Sequence, residues 1–197
     1  MSPRNLRVVK PEIRVLGIDD GKFTPHSKEQ VPIVGVVFRG GCWLDGVMYT
    51  TLTVDEFDAT ERIAAMITRS PHYRQLRVVL LNGITFAGFN IVDIKLLNAE
   101  TELPIIAVTH KKPNLYKVHA ALQHLPDSEK RWSAILNAGD IIPVTPQSEK
   151  KKGYMEISGI SEGTAREVLR LTSTRSNIPE ALRVAHLVAS GISSESF

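Results

Sequence analysis

Two adjacent carboxylates, Asp19 and Asp20, close an apolar run in the stretch RVLGIDDGKF (residues 14–23) and are followed at once by Gly21. Asp and Gly are favoured turn formers, so the pair reads as a turn. Carboxylates held on a rigid strand end are equally what a hard divalent cation takes as ligands, so the pair also reads as a metal site. Successive strand residues face opposite sides, and only one of the two can look into such a site unless the strand stops at Asp19. A second acidic group, Asp55, Glu56, Asp58 and Glu61, crowds the start of a helical period. Acids are favoured there by the helix dipole whatever their function.

Two other segments carry chemistry. GITFAGFN (83–90) is free of charge, and its Gly83 and Gly88 permit close backbone approach. Phe86 and Phe89 would stack on a base or pack as core, and Asn90 would hydrogen-bond in either case. The segment lacks the Gly-Lys-Ser/Thr end of a phosphate-binding P-loop, so triphosphate binding by that route is unsupported. His186 shares a helix with Leu182, Val184, Ala185 and Leu187. It reads as a hydrogen-bonded core histidine or as a proton shuttle. Lys150, Lys151 and Lys152 sit in the polar loop TPQSEKKKGY, as a solvated run or a phosphate grip.

The elements that must position these groups follow from periodicity. Residues 13–19, 31–40 and 42–54 are β-branched runs separated by Gly-rich turns, which predicts an antiparallel meander with Gly40-Gly41 as the tight link. ATERIAAMITRS then puts Ile63, Met66 and Ile67 on one helical face, with Asp58 or Thr60 as N-cap. The continuous apolar run LRVVLLNG (76–83) predicts a central strand covered on both faces. Helices are expected over 90–100, 113–122, 127–138, 161–174 and 178–191, the last with Pro179 in its first turn and Gly191 at its end, and strands over 104–110 and 153–158. The result is one α/β unit over 14–197, preceded by a basic, Pro-punctuated arm over 1–13.

With 197 residues, 43% of them hydrophobic, the chain can bury a sizeable single core. A net charge of +3 is compatible with a polyanionic partner without demanding one. Cys42 is the only cysteine, which excludes an intramolecular disulfide and a cysteine-based zinc cluster and suits a reducing compartment. No run of 18 apolar residues and no apolar signal core are present, so a soluble, cytoplasmic protein is expected.

The element order, with an acid ending the first strand, looks like the ribonuclease H-like fold: a mixed sheet flanked by helices. GITFAGFN, DEFDATERIA and AVTHKKP resemble an archaeal family catalogued as domain of unknown function number 99. That family in turn resembles endonuclease V, a metal-dependent nuclease acting at deaminated bases. The endonuclease V likeness is clearest at GIDDGKF, LPIIAVTHKK and SNIPEALRVAHLVASG.

The resemblance implies a role for particular residues. The first-strand metal-binding aspartate falls on Asp19, the acid before the first helix on Asp58, and the last-helix histidine on His186. A strand-end lysine lands on His110 or Lys111, and Lys112 follows. The second strand-end aspartate is here Asn82, which can ligate through its amide oxygen but adds no charge, with Asp20 available to take up that role. The Pro-Tyr-Ile-Pro wedge of the nuclease has no counterpart. The resemblance thus implies a nucleic-acid-binding protein whose catalytic set is Asp19, Asp58, Asn82 and His186. Mg2+ or Mn2+ would sit on Asp19, Asp20, Asp58 and Asn82, and nucleic acid would meet His110, Lys111, Lys112, Phe86, Phe89 and Asn90. The alternative is a catalytically inactive binding or scaffolding module of the same fold.

Overall fold

The computed structural model describes residues 6, 8–145 and 153–193, and the run Lys150 to Lys152 lies outside them. The meander forms as expected. Strands β1 (Arg14–Asp20), β2 (Gln30–Arg39) and β3 (Trp43–Thr53) pair antiparallel, with Arg14 opposite Arg39 and Val34 opposite both Asp19 and Tyr49. Gly40 makes the tight link: it sits at φ 57°, a conformation glycine adopts without steric cost, and donates its N–H to the Ile13 carbonyl at 2.8 Å.

Helix α1 (Ala59–Thr68) leads into β4 (Val78–Asn82), a short hairpin of β5 (Thr85–Phe86) and β6 (Asn90–Ile91), α2 (Ile94–Thr101) and β7 (Ile105–Thr109). Helices α3 (Leu115–Leu122) and α4 (Ser128–Asn137), strands β8 (Ile142–Val144) and β9 (Gly153–Ser158), and helices α5 (Glu162–Thr172) and α6 (Glu180–Ser193) complete the described chain. The seven-stranded sheet has the order β3-β2-β1-β4-β7-β9-β8, with β4 parallel to β1 and β7 and β9 antiparallel to β7. Val78, Val79, Leu80 and Leu81 of β4 are all fully buried, as a central strand covered on both faces requires.

Alternation along the strands divides the core into two layers. Leu16, Ile18, Leu81 and Ala107 face α1, α2 and α4, while Val15, Val34, Leu80 and Val108 face α5 and α6. Two local expectations shift. GITFAGFN is a hairpin rather than the entry to a helix, because Ala87 (φ 43°) and Gly88 (φ 84°) reverse the chain in left-handed backbone. Helix α6 continues through Gly191 to Ser193. A Cβ at Gly191 would meet nothing, so that glycine marks no close approach and no stop.

Candidate active site

The site is built where α6 lies along β1. Ala181, Ala185 and Ala189 recur at four-residue spacing and are buried, which lets the helix sit close on the sheet. At Gly17 the approach is closest: a Cβ there would run into the backbone of Ala181. From Gly17 to Asp19 is two strand residues, about 6.6 Å, and from Ala181 to His186 is five helical residues, about 7.5 Å. With the elements side by side, these rises bring His186 over Asp19.

The contact is direct. His186 Nδ1 lies 2.9 Å from Asp19 Oδ2, and Asn82 Nδ2, at the end of the neighbouring strand β4, donates to Asp19 Oδ1 at 3.0 Å. The Asp20 backbone N–H also donates to Asp19 Oδ1 at 3.0 Å. Asp19 is 2% exposed, whereas the His186 side chain is 63% exposed. A carboxylate only accepts, so Asn82 turns its NH2 to Asp19 and His186 presents Nδ1–H, leaving Nε2 toward solvent.

Asp20 faces the other side of the sheet. Its Oδ2 accepts from the Ala87 N–H at 2.7 Å, fixing the tip of the β5–β6 hairpin. Burial pushes the Asp20 carboxyl up to about 6; the Ala87 N–H opposes this and the neighbouring Asp19 charge adds to it. The hairpin is held from a second direction by Asp55, which donates its N–H to the Ala87 carbonyl at 2.9 Å and accepts from the Phe89 N–H at 2.8 Å. Gly88 must be glycine, since a side chain there would overlap the Asp55 carboxylate.

Arg131, one of the largest fully buried side chains, underlies this loop cluster. It donates to the carbonyls of Pro126 (2.8 Å), Glu56 (2.9 Å), Phe89 (2.6 Å) and Asp55 (2.8 Å). The sequence carried one signal for it: in EKRWSAIL it stands three and four residues before the buried Ala134 and Ile135, on the core face of α4.

Asp20 is therefore no metal ligand beside Asp19, its carboxylate being held by the Ala87 N–H on the other face, and three further expected site residues are placed elsewhere. No hydrogen bond or ion pair joins Asp58 to Asp19; its carboxylate pairs with Arg62 and accepts from Asn90 Nδ2 at 2.8 Å. Asn90 is fully buried and is no nucleic-acid contact, because its Oδ1 caps the first N–H groups of α1, at 3.1 Å from Asp58 N and 2.9 Å from Ala59 N. Phe86 is likewise fully buried and cannot stack on a base. Phe89 is partly buried against the same core. His110, Lys111 and Lys112 are exposed just beyond β7, on the strand-end edge that carries Asn82.

Beside Asn82 a cleft of about 160 Å³ opens at the C-terminal edge of β4 and β7. Thr109 and His110 line one side and Ser176, Asn177 and Ile178, just before α6, line the other. Asn82 and His110 were among the expected site residues; Thr109, Ser176, Asn177 and Ile178 carry no repeating sequence signal and were not. Nor was Glu156 of β9, which lies opposite Ala107, is 4% exposed and is pushed up to about 7 by burial. Among the described residues, no three histidine, cysteine, aspartate or glutamate side chains are grouped to hold a metal ion. No described helix is long and apolar enough to cross a membrane.

Comparison with known proteins places this geometry. The endonuclease dU family model matches residues 11–193. The chain belongs to the endonuclease dU family. A curated relative, the UPF0215 protein of Methanothermobacter thermautotrophicus, is 49% identical over 193 residues, 98% of this chain and 93% of its own. Among solved structures, a protein of unknown function from Archaeoglobus fulgidus superposes with a TM-score of 0.82 at 33% identity, over 91% of this chain and 98% of its own. Endonuclease V from Ciona intestinalis, in complex with a 24mer DNA containing an inosine followed by a ribo-adenosine, superposes with a TM-score of 0.56 at 14% identity, over 88% and 82%. This endonuclease dU family member therefore has the ribonuclease H-like fold of endonuclease V, as the motif resemblance implied.

Proposed function

We propose that the chain binds DNA and hydrolyses a phosphodiester bond at or near deoxyuridine, the nucleoside in its family's name, with Asp19, Asn82 and His186 as the catalytic set. The observation that supports this best is the buried Asp19 carboxylate, gripped by Asn82 and His186 on the C-terminal edge of parallel strands, where α/β sheets gather ligands. Asp19 fixes the His186 ring by its Nδ1 and leaves Nε2 facing the solvent-open side. There it takes a proton from an attacking water or returns one to the leaving oxygen. Asn82 holds the other Asp19 oxygen in place. His110, Lys111 and Lys112 offer the DNA backbone donors on the same edge.

A hard cation would take an Asp19 oxygen and, with the amide turned over from its present NH2-to-Asp19 contact, the Asn82 oxygen as its protein ligands, the remaining positions being left to water and phosphate oxygens. Such an ion, when bound, stabilises charge on the phosphoryl oxygens and acidifies water. The set does not fit two ions sharing Asp58, whose carboxylate is committed to Arg62 and Asn90.

The test incubates the full chain with end-labelled strands carrying one deoxyuridine, one inosine or neither, in Mn2+, Mg2+ or EDTA. Cleavage of the deoxyuridine strand that requires the metal is the expected result. The amide at position 82 in place of an acid favours a second reading, a non-cutting binding module; tight binding without cleavage in every metal would select it.

A further inference from the structure

We propose that the chain forms a two-fold dimer through the free edge of β3, with Tyr49 opposite its own copy, so that two seven-stranded sheets join into one. This assignment stands independently of the nuclease reading.

The two edges of the sheet differ. At one end β8 is three residues long and carries Pro143, which cannot donate to a further strand. At the other end β3 runs for 11 residues, and among the described residues no strand lies beyond it. From Gly46 to Thr53 it holds neither a charge nor a proline, the residues that ordinarily blunt an exposed edge. Its one charge, Asp45, sits at the bulge where the pairing with β2 shifts, and is committed to Arg14 and Arg39.

Hydrogen-bond alternation tells which residues face the free edge. Val54 donates its N–H to the Glu29 carbonyl in the register of the β2–β3 ladder, so the even-numbered residues from Gly46 to Leu52 turn their backbone groups to β2. Val47, Tyr49 and Thr51 therefore turn theirs outward. Thr53 is already taken: its carbonyl accepts from Asn90 Nδ2 at 3.3 Å and from the Glu56 N–H at 3.3 Å. The free stretch runs from Val47 to Thr51, and its centre is Tyr49.

That symmetry names the occupant. An antiparallel copy centred on Tyr49 sets Val47 against Thr51 of the second copy and Thr51 against its Val47, so each outward N–H and C=O in the stretch finds a partner. No complementary charge is needed, and no like charges meet along the strand. The side chains agree. Tyr49 is 73% exposed and Val47 51%, on the face where their β2 partners Val34 and Val36 belong to the layer under α6. An aromatic pair flanked by β-branched cross-strand pairs stabilises such a junction. On the other face a groove of about 460 Å³ beside the strand, lined by Met48, Ala65 and Met66, has room for Met48 and Thr50 of the added strand. Arg62 and Arg69, which also line it, are solvent-exposed and keep their charges in water.

Five residues of pairing span about 17 Å. Interfaces below about 1,200 Å² are weak ones, so a dissociation constant in the micromolar range is expected. The junction leaves the Asp19–His186 pair, on β1 two strands away, uncovered in both copies.

The experiment is sedimentation equilibrium of the full chain, without metal or nucleic acid, over about 0.1 to 100 μM, a range that brackets a micromolar constant. Wild type is expected to pass from one chain mass to two across it. Tyr49→Lys sets two cations against each other at the axis, and Thr51→Pro removes an outward N–H without touching the ladder to β2. Each variant is expected to stay at one chain mass at the top of the range, with the circular dichroism of wild type. Tyr49 is largely exposed, so the fold does not depend on it, and Tyr49→Lys decides should Thr51→Pro fail to fold. Wild type at one chain mass throughout overturns the assignment. So does a dimer that survives in either folded variant, because it would be joined elsewhere.

Discussion

Replacing Glu156 by Gln should stabilise the protein increasingly as pH rises above about 4.5, with the full effect reached above about 7. Glu156 lies on β9 opposite Ala107, 4% exposed, and burial lifts its carboxyl from the ordinary 4.5 to about 7. Its folded value lies above its unfolded value. Between pH 4.5 and about 7 the unfolded chain therefore gives up this proton while the folded chain keeps it, and stability falls as pH rises. At about 1.4 kcal/mol for each pH unit the loss reaches about 3 kcal/mol and then levels off. Gln has the shape of the protonated acid and never ionises, so the variant escapes the loss. The assay is a pair of melts: about 6–12 °C higher melting temperature for Glu156→Gln at pH 8.5, for a chain of this size, and coincidence with wild type near pH 4.5. Asp20, raised in the same direction to about 6, is present in both proteins and cancels. Equal melting at pH 8.5, or a variant less stable there, would mean that the Glu156 carboxylate is satisfied when charged and that its burial costs nothing.

Other substitutions test how the site is positioned. Arg131→Met should lower stability by at least about 3 kcal/mol, since the carbonyls of Asp55, Glu56 and Phe89 lose their donor at about 1–3 kcal/mol each; hydrogen exchange should speed first in residues 87–89. Gly17→Val should force α6 off β1 and cost about 1–3 kcal/mol by overpacking, with His186 displaced from Asp19, seen as loss of activity in whatever folded fraction remains. Asn82→Asp places two carboxylates where the amide now donates at 3.0 Å; melting temperature should fall in EDTA through like-charge repulsion and recover in Mn2+, and an unchanged melt in both would deny any metal affinity to this strand end.

Much of the fold was legible because its signals are local. Gly40, the β-branched runs and the continuous VVLL of β4 each dictate an element from its own residues. Asp19 and His186 were legible through motif resemblance, and the register of Gly17 on Ala181 explains why those two positions meet. Asp58 was read as a partner for Asp19 because it is an acid before the first helix. Its chemistry is decided by Asn90, 32 residues on, and no local pattern encodes that pairing. Phe86 and Asn90 looked like contact residues because GITFAGFN is uncharged and Gly-rich. The same traits suit a hairpin folded inward under Asp20, Asp55 and Arg131. Glu156 sits in the alternating strand GYMEIS, whose period alone does not tell which face is covered, and α2 packs against β9.

The proposed cleavage depends on Asp19 and His186 acting together, and single-turnover cleavage of a 5′-labelled strand with one deoxyuridine, in Mn2+, tests that most directly. Wild type should cut; Asp19→Asn should not; and His186→Ala should be slower by about 10²–10⁴-fold, the span of one proton-transfer group. Cleavage by wild type that persists unchanged in both variants would contradict it, since the reacting phosphate would then lie away from the Asp19–His186 pair.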